Sequence, residues 1–175
     1  MVRKTSLFLL LLCLVTGTTA AVSQEKPAEA WWLNATFAPT QTAYEGINAS
    51  AIDPNWSKMS VLSYDLLPAE AKGDLEWMRR DGFMFVKEWR VGEKGLLQRA
   101  VAGVFEDRSG KSGRFLLLLR RAESGGWEKA FLHEEPGDPG FSVLVSRGQK
   151  IYWGTCMQCE NFRQFVVTAK GASLK

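Results

Sequence analysis

Histidine is almost missing from this chain: His133 is the only one in 175 residues. A catalytic triad or an imidazole metal site has no other histidine to draw on. Cysteine is scarce too, at three residues, too few for a disulfide-dense scaffold. The longest dense apolar run, residues 7–15, is about half of the roughly 20 residues that a membrane-spanning helix needs. Neither sign of charge dominates, with 22 basic against 19 acidic side chains and a net charge of +3. Such a balance leaves no electrostatic footprint for nucleic acid.

What is present begins with an address. Residues 1–4 are short and basic, residues 7–15 are apolar, and Thr18, Thr19, Ala20 and Ala21 are small. This is the pattern of a cleaved secretory signal peptide over residues 1–21. The leader carries Arg3 and Lys4, so its removal leaves 20 basic against 19 acidic side chains, a net +1. Cys13 leaves with it and does not follow a small residue, which argues against a lipoprotein. The destination is secreted or periplasmic, and no transmembrane segment is expected after cleavage. Alanine, glycine and arginine usage leans towards a bacterial periplasm.

Residues 22–30 are polar and contain Pro27, which reads as a flexible lead-in. A β-rich domain over residues 31–175 follows, large enough to bury about two-thirds of its unfolded surface. Residues 36–55 read as an irregular, partly extended loop region, and residues 59–67 as a strand. A helix is expected over 68–81: Pro68 suits its first turn, Arg79 and Arg80 its last, and Gly82 its end. Ala71, Leu75 and Met78 share one face of it, and Gly73 inside it costs about 1 kcal/mol against alanine.

After Gly82 the pattern changes to short apolar runs set between glycine-rich turns, the signature of antiparallel sheets. The runs cover residues 83–89, 96–106, 115–119, 127–132, 141–146, 150–153 and 162–168. Residues 115–119, Phe-Leu-Leu-Leu-Leu, show no alternation, so this strand should be central and covered on both faces. The fold class expected is mainly β, an antiparallel sandwich or partly open barrel with one packed helix.

Cys156-Met157-Gln158-Cys159 is the sharpest motif. In an oxidising compartment two thiols become one disulfide, here between the runs 150–153 and 162–168, where it would pin the turn joining two final strands. The alternative is a dithiol redox centre with Cys156 as nucleophile and Cys159 as resolving thiol. Against it, only 16 residues follow Cys159, too few to complete a thioredoxin fold in its usual chain order. Glu160 would also raise a neighbouring thiol pKa. A c-type haem needs histidine where Glu160 stands. A zinc set of Cys156, Cys159, His133 and Glu134 or Glu135 is chemically possible, but no spacing demands it. The expectation is no metal and no cofactor, with residues 133–135 a solvated strand end.

Other chemistry finds little support. Gly110-Lys111-Ser112 has its upstream glycine, Gly103, too far away for a phosphate loop. There is no GxSxG elbow, and no carboxylate pair stands out as a glycosidase dyad. Seven tryptophans are many for this length. Trp89 and Trp153 end apolar runs and read as core, whereas Trp31, Trp32 and Trp56 lie beside the loop-rich segment and read as a ligand-stacking surface patch. Asn34, Asn48 and Asn55 begin glycosylation sequons.

The function these features imply is an exported cell-envelope binding or accessory module stapled by the CxxC disulfide, with an envelope protein or glycan as partner. A periplasmic thiol–disulfide oxidoreductase is the alternative, and an envelope hydrolase a weaker one. If the leader is cleaved, the intact mass of the exported protein will lack residues 1–20 or 1–21. A soluble species that still carries residues 1–15 would refute export by this route.

Overall fold

The structure is a computed structural model that describes residues 30–91, 95–148, 150–168 and 171–175. The expected leader and residues 22–29 of the lead-in lie outside the described residues. Helix α1 spans Trp31–Asn34. A small hairpin, β1 Ala43–Tyr44 and β2 Ile47–Asn48, leads into α2 Ala49–Ile52. Residues 36–55, read from sequence as irregular, thus hold two short strands and a helical turn. Strand β3 runs Trp56–Val61, and a 3-10 turn follows at Tyr64–Leu66. The expected strand over 59–67 therefore starts earlier and stops earlier.

The expected helix over 68–81 is present in two parts, a 3-10 stretch Ala69–Asp74 and α3 Leu75–Arg80. Ala71 and Met78 are fully buried. Gly82 ends the helix with φ +80°, a conformation that costs glycine nothing. The remaining strands are β4 Phe83–Met84, β5 Val86–Val91, β6 Leu96–Asp107, β7 Ser112–Arg121, β8 Trp127–Pro136, β9 Val143–Arg147, β10 Lys150–Gly154, β11 Arg163–Thr168 and β12 Gly171–Leu174. All strand pairs are antiparallel. Among the described residues no helix is long and apolar enough to cross a membrane.

Two five-stranded sheets result. The first has the order β3-β6-β7-β8, with β5 also on β6. Strand β6 is long enough to hold both neighbours on one edge: residues 96–101 pair with β5, and residues 103–107 with β3. The second sheet has the order β12-β11-β10-β9-β4. The run 83–89, expected as one strand, divides between the sheets at Phe85. Phe85 is buried, and its carbonyl accepts from Ala102 N at 2.9 Å, so the crossing costs no backbone bond at that carbonyl.

Side-chain alternation then stacks the layers. Phe115, Leu117 and Leu119 of β7, with Val101 and Phe105 of β6, face a cap made of Ala49, Ile52, Trp56 and Met59. Leu116 and Leu118, with Ala100 and Ala102, face Leu144, Trp153 and Phe165 of the second sheet. Residues 115–119 are all at most 1% exposed, which bears out the two-faced strand. On the far side of the second sheet, Val143 and Val145 pack with Trp31, Trp32, Ala71 and Met78. The architecture is an open, mainly β sandwich with one packed helix, capped on both outer faces.

Two glycines fit this packing. Gly103 pairs with Phe115, and Gly113 with Phe105, on adjacent strands. A Cβ on Gly103 would lie 2.4 Å from both Phe115 Cζ and Ser60 O. Gly103→Ala should therefore destabilise the fold by roughly 1–3 kcal/mol through overpacking. Gly126→Ala, at a glycine whose added Cβ meets nothing within 4 Å, should stay within about 0.5 kcal/mol of wild type. Urea unfolding midpoints will check this, and equal midpoints for the two variants would contradict the packing argument.

Candidate functional site

The connection between β10 and β11 carries both cysteines. Cys156 and Cys159 form a disulfide with their Cα atoms 5.5 Å apart. It spans a loop whose flanking strands pair at Ile151 with Phe165, Tyr152 with Gln164 and Trp153 with Arg163. This hairpin is not formed by the last two strands, because β12 follows and pairs with β11. Cys156 is only 7% exposed and Met157 5%. Both belong to the core under the helices, and Cys159 packs against it.

The three tryptophans expected as a surface patch are buried instead. Trp31 and Trp32 are 5% and 7% exposed, and Trp56 is 1% exposed. Trp31 meets Trp32 and Phe141 edge-on at 5.8 and 5.1 Å, and its Nε1 donates to Asp74 Oδ2 at 2.8 Å. Trp56 stacks on Phe105 at 4.8 Å, leans on Phe115 at 5.0 Å, and donates from Nε1 to Glu134 Oε1 at 2.6 Å. A stacking platform needs an open ring face, and these rings are covered. The loop-rich segments that carry them fold down over the sheets. Trp153 is buried and Trp89 half-buried, as expected of core positions. Asn34, Asn48 and Asn55 are all exposed.

A different constellation emerges at one end of the sandwich. Alternation along β8 puts His133 and Glu135 on the face that looks at the second sheet, opposite Leu116 and Arg114 of β7. Glu134, between them, points the other way and holds Trp56. From the second sheet, Arg163 of β11 lies opposite Trp153 of β10. Its guanidinium stacks 4.9 Å from the Trp153 ring centre. Its Nη2 is 3.0 Å from His133 Nε2 and also donates to Glu135 Oε1. The His133 ring meets Trp153 edge-on at 5.5 Å. Beside this cluster opens a cleft of about 440 Å³, with Thr155, Asn161 and Phe162 of the disulfide loop on its walls. Phe162 lies against Gly154, where an added Cβ would meet the ring at 2.6 Å.

Residues 133–135 are therefore half-buried members of a strand that runs to Pro136, and not a solvated strand end. The strand does not stop at Leu132: its ladder with β7 continues to Pro136 opposite Gly113, and Trp56 gives Glu134 a partner there. The spacing His133-x-Glu135 was a legible sign of two polar groups on one strand face. Arg163 carried no such sign, since it arrives from another sheet.

The electrostatics follow from this setting. Arginine can only donate, so His133 Nε2 accepts, and the neutral ring carries its proton on Nδ1. Burial lowers the His133 pKa below the usual histidine value, and the Arg163 charge lowers it further, while Glu135 and Glu134 oppose both. Among the described residues no three His, Cys, Asp or Glu side chains converge as metal ligands. The two cysteine sulfurs are bonded to each other, which removes them from the zinc set considered above. Comparison with protein-family models, curated proteins and solved structures finds no match.

The lowered pKa has a stability consequence. An unfolded histidine titrates near 6.5, and the folded His133 titrates lower. Between those values the unfolded chain binds more protons, so stability falls as pH falls. The contribution of His133 is full above about pH 7 and is lost as the pH drops through its folded value. Wild type should lose more stability than His133→Gln between pH 7.5 and pH 5.5, read from urea midpoints at both. Glutamine keeps an acceptor for Arg163 but does not titrate. Parallel losses in the two proteins would show that His133 is not the group responsible.

Proposed function

We propose that the protein is an exported cell-envelope binding or accessory module, stapled by Cys156–Cys159, that takes its ligand in the cleft beside Trp153. The observation that carries this reading is the Arg163 guanidinium, stacked on a buried tryptophan with Nη2 committed to His133 and Glu135. Its Nε and Nη1 make no side-chain bond among the described residues. Both two-bond edges of a guanidinium include Nη2, so a ligand carboxylate would meet Nε or Nη1 through a single charge-assisted hydrogen bond. Thr155 and Asn161 add polar groups on the cleft wall. The chemistry favours a ligand carboxylate, from an envelope glycan or a peptide. Export rests on the leader.

A thiol–disulfide oxidoreductase needs an attacking sulfur that a partner disulfide can reach. The burial of Cys156 in the helix-side core supports a structural disulfide instead. An envelope hydrolase with His133 as base fares little better, because Nε2 already accepts from Arg163.

Two variants test the reading. Titration with glucuronate against neutral glucose, and with N-acetylalanine against its amide, will show which carboxylate source binds. The expected result is saturable binding of one acid, lost at least about tenfold in Arg163→Leu. Cys156→Ser with Cys159→Ser should melt modestly lower, keep that binding, and match wild type in reducing insulin, which is to say neither does. Catalytic reduction of insulin by wild type but not by the double variant would overturn the reading, and so would binding that ignores both the acid and Arg163.

A further inference from the structure

The sandwich opens a second time, at the other end of β11, and there an amide lacks a partner. Gln98 of β6 lies in register with Trp89 of β5 and Arg120 of β7. By alternation it continues the inward row of Ala100 and Ala102, facing the second sheet. It is 8% exposed, and its Oε1 is buried with no hydrogen-bond partner. Leaving a buried carbonyl unpaired costs about 1–3 kcal/mol, so a donor belongs beside it.

Space for that donor exists. A cleft of about 420 Å³ lies against Gln98, bounded by Leu118 of β7, Ala130 of β8, and Val167 and Ala172 of β11 and β12. The β7–β8 register shifts here. Leu118 faces Phe131 and Leu119 faces Lys129, which leaves Ala130 unpaired in a bulge on the cleft wall. Bulges of this kind re-aim strands beside binding sites. Arg120 also lines the cleft, but its Nε and Nη2 hold Glu128 Oε1 at 2.9 and 2.7 Å. That pairing neutralises Arg120, and Lys129, the other cation on the lining, commits its Nζ to the Ile52 carbonyl, so the site does not call for a charged ligand.

The geometry points to a second binding site at this cleft, taking a small neutral amphiphile whose hydroxyl or amide N–H donates to Gln98 Oε1 while its hydrocarbon lies among Leu118, Val167 and Ala172. The class excludes carboxylates, whose oxygens would face the lone pairs of Oε1, and hydrocarbons without a donor, which would leave Gln98 unpaired. The site stands apart from the Trp153 cleft, and neither depends on the other.

The test is a titration of the mature protein followed by ¹⁵N and methyl ¹³C NMR, with three probes: 1-octanol, its isomer methyl heptyl ether, and octanoate. The ether matches the alcohol in size and cannot donate. Expected are saturable shifts at the Gln98 side-chain amide and at the Leu118, Val167 and Ala172 methyls. The alcohol should bind at least about tenfold more tightly than the ether, the scale of one buried hydrogen bond, and more tightly than octanoate. Gln98→Leu should remove the preference for alcohol over ether. Ala172→Phe, which fills the cleft from the opposite sheet, should weaken the alcohol, and it carries the mutational arm where Gln98→Leu does not fold. Absence of a saturable response would mean that a water molecule satisfies Gln98, and would overturn the site. Equal affinity for ether or octanoate would overturn it too, as would shifts confined to Thr155 and Asn161.

Discussion

Everything in this fold follows from one strand that has no polar side. Residues 115–119 of β7 are apolar in every position and at most 1% exposed. A sheet with one solvated face cannot hold them, because each large side chain left wet forfeits roughly 1.5–3 kcal/mol. One face therefore requires the second sheet, and the other requires the cap built from α2 and β3. The neighbour β6 must adapt to both demands. On the inner side it offers Ala100 and Ala102 opposite Leu118 and Leu116, small against large, where Trp153 and Phe165 come down from the second sheet. On the outer side it offers Gly103 under Phe115, while Gly113 of β7 lies under Phe105. Those two glycines let the phenyl rings lie close to the sheet, and Trp56 stacks on what they form.

Trp56 connects that core to the candidate site. Its Nε1 bond to Glu134 reaches β8, a strand that hydrogen-bonds to a neighbour on only one side. Register in a strand is all or nothing: a slip by one residue exchanges its two faces. Fixing Glu134 towards Trp56 thus fixes His133 and Glu135 towards Arg163. The buried indole and the half-buried charge cluster are two readings of the same three residues. The cluster owes its geometry to a hydrogen bond on the opposite side of the sheet.

Much of this was legible in the chain and some of it was not, for definable reasons. The two-faced burial of 115–119 could be read directly, since five apolar residues without alternation admit few other placements. The turns at Gly110, Gly125 and Gly148, each with positive φ, and the helix end at Gly82 were legible because their backbone conformations favour glycine. The disulfide followed from compartment and spacing. The tryptophans were misread because loop composition around Trp31 and Trp56 suggests exposure, whereas burial depends on whether the loop folds back onto a sheet. The division of 83–89 at Phe85 was invisible: Phe83 and Phe85 belong to one core and Met84 to another, yet each is simply apolar in sequence. Strand β12, Gly-Ala-Ser-Leu, is short and half polar, and only its pairing with β11 makes it a strand. Arg163 could not be placed near His133 without the sheet topology that joins them.

The disulfide makes most sense in relation to that topology. Closing so small a ring removes little entropy from the unfolded chain, so its contribution belongs at the low end of the ~0–5 kcal/mol range. Its effect is local. Residues 155–162 form no strand or helix, and a loop without a hydrogen-bond ladder is held only by what its side chains touch. On one side Cys156 and Met157 are anchored in the helix-side core. On the other, Thr155, Asn161 and Phe162 line the cleft beside Arg163. The bond between Cys156 and Cys159 ties the anchored part of the loop to the part that approaches the cleft. It limits how far Asn161 and Phe162 can move from a wall that the core has already fixed. A preformed wall lowers the ordering cost of binding, which is the role that the proposed ligand site would give the disulfide.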